Sequence, residues 1–544
     1  MKTNEIFTVN DGMVRMKTTF KKLYNICTSF QNTKYANIII LLIFSVLYSL
    51  VFNAIDFIRY PVKYGNTIIN TILLFILSIP LVFYFFLVAS LNRTLFTIIT
   101  LLTTFLSSIV LYFIIVYKIR IYLLDTFILL LQTNPHEASG VISFDLVIMV
   151  LCISLVTALF LYYYNKLYHN TIAKRIKITF ILILSPVLFL LYFSRPVMPY
   201  AFIYAINMYN KYQTIIHQPR TDISKLPSSF NEERNHDLNV IFIIGEAARA
   251  DHFSINGYPR KTSPNIEKLK AVSLPNINSI YGVTNKCVPL MVTRATEHTF
   301  ETAFKETSFV SIFNKHGFTT AWISNQDVID NSYSNIASFA NEASIKKQII
   351  WNTKNIKNSS VTNANILDEN MLPELDQLLK INNRKLVILH CMGSHWEFHK
   401  HYPDAFRKFI PICTTSNVSR CNHDELVNNY DNSILYADYF ISQVIQRLIH
   451  KNAIVIYCSD HGEFLGEDGY YGHIPGIQRK EITNPAMFIW MSDEYKKRNP
   501  EKYNNLLGNK NKQLPSYVIF HSILDAASIN SVAANYKLSI FSKM

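Results

Sequence analysis

The stretch Ala453-Ile454-Val455-Ile456-Tyr457-Cys458-Ser459-Asp460-His461-Gly462-Glu463 decides the fold. A run of β-branched and apolar residues stops abruptly at a carboxylate and an imidazole. Such runs read as strands covered on both faces, the usual state in a parallel sheet. A second string, Val240-Ile241-Phe242-Ile243-Ile244-Gly245-Glu246, ends in the same way. In open α/β sheets the ligand site lies beyond the carboxyl ends of the strands. Glu246, Asp460 and His461 are therefore expected to meet at one sheet edge, although they are far apart in sequence. Two carboxylates and an imidazole suit a divalent, zinc-like metal.

Around these strings, strand signals at 239–244, 318–323, 385–391, 453–458 and 486–491 alternate with helix signals at 264–271, 306–316, 366–380, 424–450 and 515–527. The alternation predicts a doubly wound α/β domain over 236–544 with a mainly parallel central sheet. Residues 196–235 read as a connector. An aromatic amphipathic stretch from Tyr200 to Tyr212 suits a membrane surface, and Pro219, Pro227 and Ser228-Ser229 mark a linker.

Residues 1–195 are of another kind. Ile, Leu, Phe, Val and Tyr dominate from 37 to 194 in blocks of about twenty, the length that crosses a bilayer. Five spans are predicted, near 37–55, 68–90, 94–117, 143–164 and 176–194. The run from Ile121 to Leu131 is too short to span and reads as interfacial or re-entrant. The first block starts late and no small-residue cleavage site follows it, so it is not a cleavable signal peptide. Lys2, Arg15, Lys17, Lys21, Lys22 and Lys34 precede the first span, and Lys166, Lys174, Arg175 and Lys177 lie between the fourth and fifth. Both segments are expected in the cytoplasm. Lys118 and Arg120 run against that bias but are outnumbered. Five spans with an internal N-terminus place the α/β domain outside the membrane.

A chain of 544 residues exceeds one compact core, so at least two domains are expected. The formal net charge is +14, but the basic residues are spread out and partly explained by topology. That argues against a nucleic-acid partner and for an anionic lipid surface. Among seven cysteines, Cys413 and Cys421 lie close together in a polar loop and can close a small disulfide outside the cytoplasm. Cys27 and Cys152 belong with membrane segments, Cys391 and Cys458 read as buried thiols, and Cys287 has no evident partner.

A metal polarises a phosphoryl oxygen and acidifies a hydroxyl, but the reaction still needs a nucleophile. In Ser279-Ile280-Tyr281-Gly282-Val283-Thr284-Asn285-Lys286-Cys287-Val288-Pro289 the Thr284 hydroxyl and the Cys287 thiol compete for that role. Thr284 is equally a good helix cap, and spacing alone leaves both readings open. Further histidines follow strand ends: His390 and His395 in Leu389-His390-Cys391-Met392-Gly393-Ser394-His395, and His473 in Tyr471-Gly472-His473-Ile474-Pro475. They can hold a second metal or a phosphate. His399 and His401 read as ordinary loop residues.

Several strings in order carry a family resemblance: Gly245-Glu246-Ala247-Ala248-Arg249-Ala250-Asp251, Asn256-Gly257-Tyr258-Pro259-Arg260, Thr284 with Val288-Pro289, His390 to His395, Asn429-Tyr430-Asp431-Asn432 and Ser459-Asp460-His461-Gly462-Glu463. The chain resembles the phosphoethanolamine transferases that modify lipid A and lipooligosaccharide, which include the mobile colistin-resistance enzymes and belong to the alkaline phosphatase/sulfatase-like superfamily. The resemblance implies a multi-pass bacterial inner-membrane enzyme, a monomer, with a periplasmic catalytic domain. It implies Zn2+ held by Glu246, Thr284, Asp460 and His461, with Thr284 as the nucleophile. His395 and His473, and more weakly His390, would hold substrate phosphate or a second zinc. Glu137, in Gln132-Thr133-Asn134-Pro135-His136-Glu137-Ala138, would help to bind the donor lipid.

The implied reaction moves phosphoethanolamine from phosphatidylethanolamine to Thr284, then to lipid A or a lipopolysaccharide core sugar. Polymyxin resistance would follow only where the acceptor is a lipid A phosphate. Two departures stand out. The family often flanks its nucleophile with a disulfide, whereas only Cys287 stands here. The family asparagine eight residues before Glu137 is Leu129. The sulfatase pattern C/S-x-P-x-R begins at Cys287-Val288-Pro289-Leu290 but meets Met291 instead of Arg. A phosphoglycerol transferase of the lipoteichoic-acid type shares the topology and a Thr nucleophile, but the Gly-Glu-x-Ala-Arg and Asp-His-Gly-Glu strings and the Cys413/Cys421 loop favour the phosphoethanolamine branch. A membrane-anchored binding protein would not need Glu246, Thr284, Asp460 and His461 together.

Overall fold

A computed structural model describes residues 36–60, 67–124, 126–128, 142–166, 171–191, 197–326, 335–349, 367–415, 420–474 and 476–543. Glu137 and Leu129 lie outside the described residues. The chain divides into two compact units, one of 1–122 with 144–207 and one of 123–143 with 208–544.

In the first unit, α1 (Ala36–Arg59), α2 (Thr67–Ala89), α3 (Arg93–Val116) and α4 (Phe144–Lys166) are long and apolar enough to cross a membrane. These four are the spans among the described residues, against the five expected. The expected fifth is the helix α5 (Thr171–Leu191). It carries Lys174, Arg175 and Lys177 in its first two turns, and it is not among the four helices that meet the length and hydropathy of a span within the described residues. Asn92 caps α3 by accepting the Leu95 N–H at 3.0 Å. A π-helical turn at Ser49–Ala54 interrupts α1. There the Asn53 amide pairs both ways with the Met198 backbone, at 3.2 and 2.8 Å. Arg120, one of the residues opposing the charge bias, is neutralised locally. Its Nε lies 2.7 Å from the buried Asp56 carboxylate, which also accepts the Tyr122 hydroxyl at 2.8 Å. The aromatic stretch forms α6 (Tyr200–Ile216), and the boundary between units falls within it.

The second unit is built on a seven-stranded sheet: β1 (Asn239–Gly245), β2 (Val272–Ser273), β3 (Thr319–Ser324), β4 (Ile345–Gln348), β5 (Lys385–His390), β6 (Ala453–Ser459) and β7 (Met487–Met491), in the order β2-β7-β6-β1-β5-β3-β4. The sheet is mixed, which corrects the mainly parallel expectation. β6, β1, β5, β3 and β4 pair in parallel, whereas β7 runs antiparallel to both β6 and β2. A parallel return needs a crossover to the opposite edge. Among its described residues, the chain from Asp460 to Ala486 carries only short strands, a 3-10 turn and the four-residue helix Lys480–Thr483, so it re-enters from the edge it left. β4, with the sequence Ile-Lys-Lys-Gln, has no apolar run and gave no strand signal.

The principal helices are α7 (Thr284–Val292), α8 (Phe309–Lys315), α9 (Leu372–Leu379), α10 (His423–Gln446) and α11 (Val518–Ala526). Val240, Phe242 and Ile244 join Phe309, Phe313, Phe520 and Ile523 in one core cluster. Ile241 and Ile243 point the other way and are also fully buried. β1 is thus covered on both faces, which accounts for its unbroken apolar run. Register then aligns the strand ends. Gly245 pairs with Ser459, and Ile244 pairs with His390. The next residues, Glu246 and Asp460, leave the sheet side by side.

Candidate active site

Glu246, Asp460 and His461 meet at the carboxyl edge of the sheet, and one ligand atom of each lies within 4.8 Å of the others. Gly245 permits this packing, because a Cβ there would lie 2.3 Å from the Tyr457 hydroxyl. Ala247 follows with φ +55°, a left-handed conformation uncommon outside glycine. The turn is held from several sides. The Ala247 N–H donates to Asp460 Oδ1 at 3.2 Å, the Ala248 N–H to Ser459 Oγ at 2.8 Å, and the Tyr430 hydroxyl to the Ala247 carbonyl at 2.7 Å. Arg249 is buried, pairs through two nitrogens with Asp251 and donates to the Glu463 carbonyl. It thereby ties the loop after β1 to the loop after β6.

His461 Nδ1 lies 2.7 Å from the Gly462 carbonyl oxygen. A carbonyl only accepts, so the ring proton sits on Nδ1 and Nε2 keeps its lone pair. That Nε2 is 3.4 Å from Glu246 Oε1 and 3.4 Å from Asp460 Oδ2. Glu246 Oε1 and Asp460 Oδ2 are buried and have no hydrogen-bond partner. Three acceptors thus face one another in a site shut off from water. Unpaired buried acceptors are costly, and a cation is the group that satisfies all three. The donor set, two carboxylates and one imidazole nitrogen, fits zinc. Burial, and next the charge of Asp460, hold the Glu246 carboxyl well above the usual carboxylate range. Burial lowers His461, which keeps its imidazole neutral and able to ligate.

Thr284 is the first residue of α7, so its hydroxyl sits at the positive end of the helix. Its Oγ1 donates to Glu246 Oε2 at 3.1 Å and lies 3.3 Å from His461 Nε2. The cap position of the helix is Val283, whose side chain makes no capping hydrogen bond. Cys287, its rival in the sequence, is fully buried. The thiol donates to the Tyr281 carbonyl at 3.0 Å, and burial pushes it well above the usual thiol range. The contact with Tyr281 fixes the loop that a disulfide often fixes in the family the sequence resembles.

His473 stacks near His461 with ring centroids 4.8 Å apart, and His395 lies 6.2 Å from His473. Both come to the site edge. Burial alone would lower His473, but its 3.3 Å contact with Glu463 and the charge of that carboxylate outweigh burial and raise it. His461, Glu463 and His473 form a second group that can hold a metal ion. His401, read as an ordinary loop residue, stands 6.1 Å from His395. His390 ends β5 in an enclosed position beside Trp322, with ring centroids 6.2 Å apart, and burial lowers it to about 4. Cys413 and Cys421 form a disulfide. Two residues of the site were not selected from sequence. Glu463 stood in a quoted string without a role, and Gln326, whose side chain donates to Glu246 Oε2 at 2.8 Å, gave no signal.

With this geometry in view, residues 238–529 match the family described as Sulfatase. The chain belongs to the sulfatase family. Within it, the resemblance to phosphoethanolamine transferases is supported by relatives of that description. The phosphatidylethanolamine transferase Mcr-1 of Escherichia coli is 36% identical over 265 residues, 46% of this chain and 48% of that protein. The chain spans about half the length of the curated relatives it matches first. The integral membrane lipooligosaccharide phosphoethanolamine transferase A (EptA) of Neisseria meningitidis shares the fold with a TM-score of 0.73 at 22% identity, over 92% of this chain and 97% of that one. The periplasmic domain of Escherichia coli EptC, in a zinc complex, aligns with a TM-score of 0.52 at 19% identity, over 60% of this chain and 90% of that domain. The fold these sulfatase-family proteins share says nothing of a sulfatase reaction here, whose C/S-x-P-x-R nucleophile pattern this chain lacks.

Proposed function

We propose that the protein is a zinc-dependent phosphoethanolamine transferase of the bacterial inner membrane, with its second unit in the periplasm. The donor is phosphatidylethanolamine and the acceptor is lipid A or a lipopolysaccharide core sugar. The observation that carries this reading is the Thr284 hydroxyl, at a helix N-terminus and beside three buried acceptors that face one another. The names of the Mcr-1 and EptA relatives and the zinc complex of the EptC domain support donor class, acceptor class and metal.

Glu246, Asp460 and His461 would hold the zinc. Bound there, zinc supplies the Lewis acidity that lowers the pKa of a neighbouring hydroxyl and offsets phosphoryl charge. Thr284 Oγ1 then attacks the donor phosphorus. The new Oγ1–P bond forms as the bond from phosphorus to the diacylglycerol oxygen breaks. Glu246 Oε2 is the acceptor facing the hydroxyl proton. His473, whose pKa Glu463 raises, would give a proton to the departing oxygen. The phosphoethanolamine group stays on Thr284 until an acceptor hydroxyl or phosphate displaces it and restores the threonine. Holding the group covalently keeps it from water between two lipid substrates. His395 would bind phosphate oxygens, and Glu137 would contact the donor headgroup.

The test is Thr284→Ala in the full-length protein with fluorescent phosphatidylethanolamine. Wild type should release labelled diacylglycerol and show a phosphoethanolamine adduct by intact mass, whereas the variant should do neither and still bind zinc. Full diacylglycerol release by Thr284→Ala would refute the nucleophile. An adduct of a different mass on wild type would refute the donor. Lipid A and core masses from cells with and without the gene identify the acceptor.

A further inference from the structure

Gln326 lies two residues beyond the end of β3. Its amide nitrogen is 2.8 Å from Glu246 Oε2 and 2.8 Å from the Cys391 carbonyl oxygen. Both partners only accept, so the NH2 end of the amide must face them and both its protons are used. The Gln326 backbone is preset in turn. The Ser324 hydroxyl donates to its carbonyl at 2.8 Å, its own N–H donates to Ser324 Oγ at 3.2 Å, and the Gln348 amide donates to the same carbonyl. Cys391, the other anchor, donates its N–H to the Ile244 carbonyl at 2.9 Å. One side-chain amide therefore links the ends of β3, β5 and β1 at the carboxylate that begins the site.

A separate arm holds the Glu246 backbone. Asn325 donates to the buried Asp368 at 2.9 Å, and that carboxylate accepts the Met392 and Gly393 N–H groups at 2.8 and 3.0 Å. The Ser394 N–H then donates to the Glu246 carbonyl at 3.0 Å. Gly393, at φ +52°, has no room for a side chain, since a Cβ would lie 2.8 Å from the Glu246 carbonyl oxygen.

These contacts make the two Glu246 oxygens unequal. Oε2 receives Gln326 and Thr284. Oε1 receives nothing, is buried, and faces His461 Nε2. A carboxylate without the Gln326 anchor could turn about its last bond and present either oxygen, or both.

We propose that Gln326 is a positioning residue that locks Glu246 with Oε1 alone toward the cation site, and thereby sets the metal affinity. The inference rests on the reading of Glu246, Asp460 and His461 as a zinc site. Partners of this kind fix ligand orientation before the metal arrives, and their loss typically costs about 10–100-fold in metal affinity.

The test uses full-length protein in detergent, stripped of metal, with zinc titrated in competition with a fluorescent chelator. Gln326→Met fills the same space and cannot donate, so its zinc Kd should rise by about 10–100-fold. Its zinc-free form should melt somewhat below wild type, because the Cys391 carbonyl loses its donor, and Gln326→Asn separates that structural cost from the effect on zinc. Gln326→Asn keeps the amide one methylene short and should recover part of the loss. Wild-type zinc affinity in Gln326→Met would overturn the proposal, as would Gln326→Asn binding no better than Gln326→Met. Should Gln326→Met fail to fold without zinc, the comparison of Gln326→Asn with wild type decides, and equal affinity there overturns the proposal. A wild-type protein that binds no zinc would instead overturn the metal-site reading.

Discussion

Glu246→Gln is expected to reverse its effect on stability according to whether zinc is present. In the metal-free protein, Glu246 and Asp460 place carboxylate oxygens within 4.8 Å of each other in a buried site. At an effective dielectric of about 20, two unit charges at that distance repel by about 3.5 kcal/mol. Burial first, and this repulsion second, favour a proton on Glu246 and hold its carboxyl well above the usual range. A folded-state pKa raised above the unfolded value gives stability that is complete below the unfolded pKa and lost as pH rises through the folded one. Metal-free wild type should therefore weaken as pH climbs from the ordinary glutamate range toward neutrality and beyond. Glu246→Gln removes the charge, keeps an oxygen to accept from Gln326, and flattens that decline. At pH 8 with chelator the variant should melt roughly 5 °C above wild type. With saturating zinc the order inverts, because wild type gains binding free energy that the neutral amide cannot supply. Differential scanning fluorimetry of the full-length protein, from pH 5 to 8 with chelator and with zinc, measures all four states. A chelated Glu246→Gln protein that melts at or below wild type at pH 8, with no trend in pH, would refute the electrostatic account of the site.

Two further outcomes follow from other parts of the second unit. His521 is buried, accepts the Asn535 N–H on Nδ1 at 3.1 Å, and is lowered by burial to about 4. Its folded pKa is depressed, so its contribution is complete above the unfolded histidine value and is lost as pH falls toward 4. Denaturant titrations of wild type should lose about 3 kcal/mol over that window, a slope that His521→Gln should lack. Replacing both Cys413 and Cys421 by Ser opens a loop with a sequence separation of 8, and loop-closure entropy puts the loss near 2.5 kcal/mol. Reductant should lower the wild-type melting temperature and leave that variant unchanged.

Some of this site could be read before any coordinates. Glu246 and Asp460-His461 end two uniformly apolar runs of the second unit, and such runs have few places to go except the middle of a sheet. Thr284 was harder. A threonine before an apolar helical turn is an ordinary cap, and only its placement against Glu246 and His461 separates the two roles. The mainly parallel expectation did not hold at β7, because Met487 to Met491 looks the same in either orientation. The connection decides it, and its lack of a crossover helix is a weak sequence signal. Of the five spans expected, four are found among the described residues, and the helix at the fifth carries Lys174, Arg175 and Lys177 near its start.

The sequence by itself determined that an apolar first half precedes an α/β second half, that two strand ends carry metal-binding groups, and which family strings accompany them. These are local properties, written in periodicity and in residue chemistry. Only the tertiary structure decided how the groups meet. Register sets Gly245 beside Ser459, and it is this alignment that brings two buried carboxylates together. The end of β3 delivers Gln326 to one oxygen of Glu246, and α7 turns the Thr284 hydroxyl inward. A polar side chain such as Gln326 leaves no pattern in sequence, because its role arises only from a contact between segments that the sheet brings to one edge.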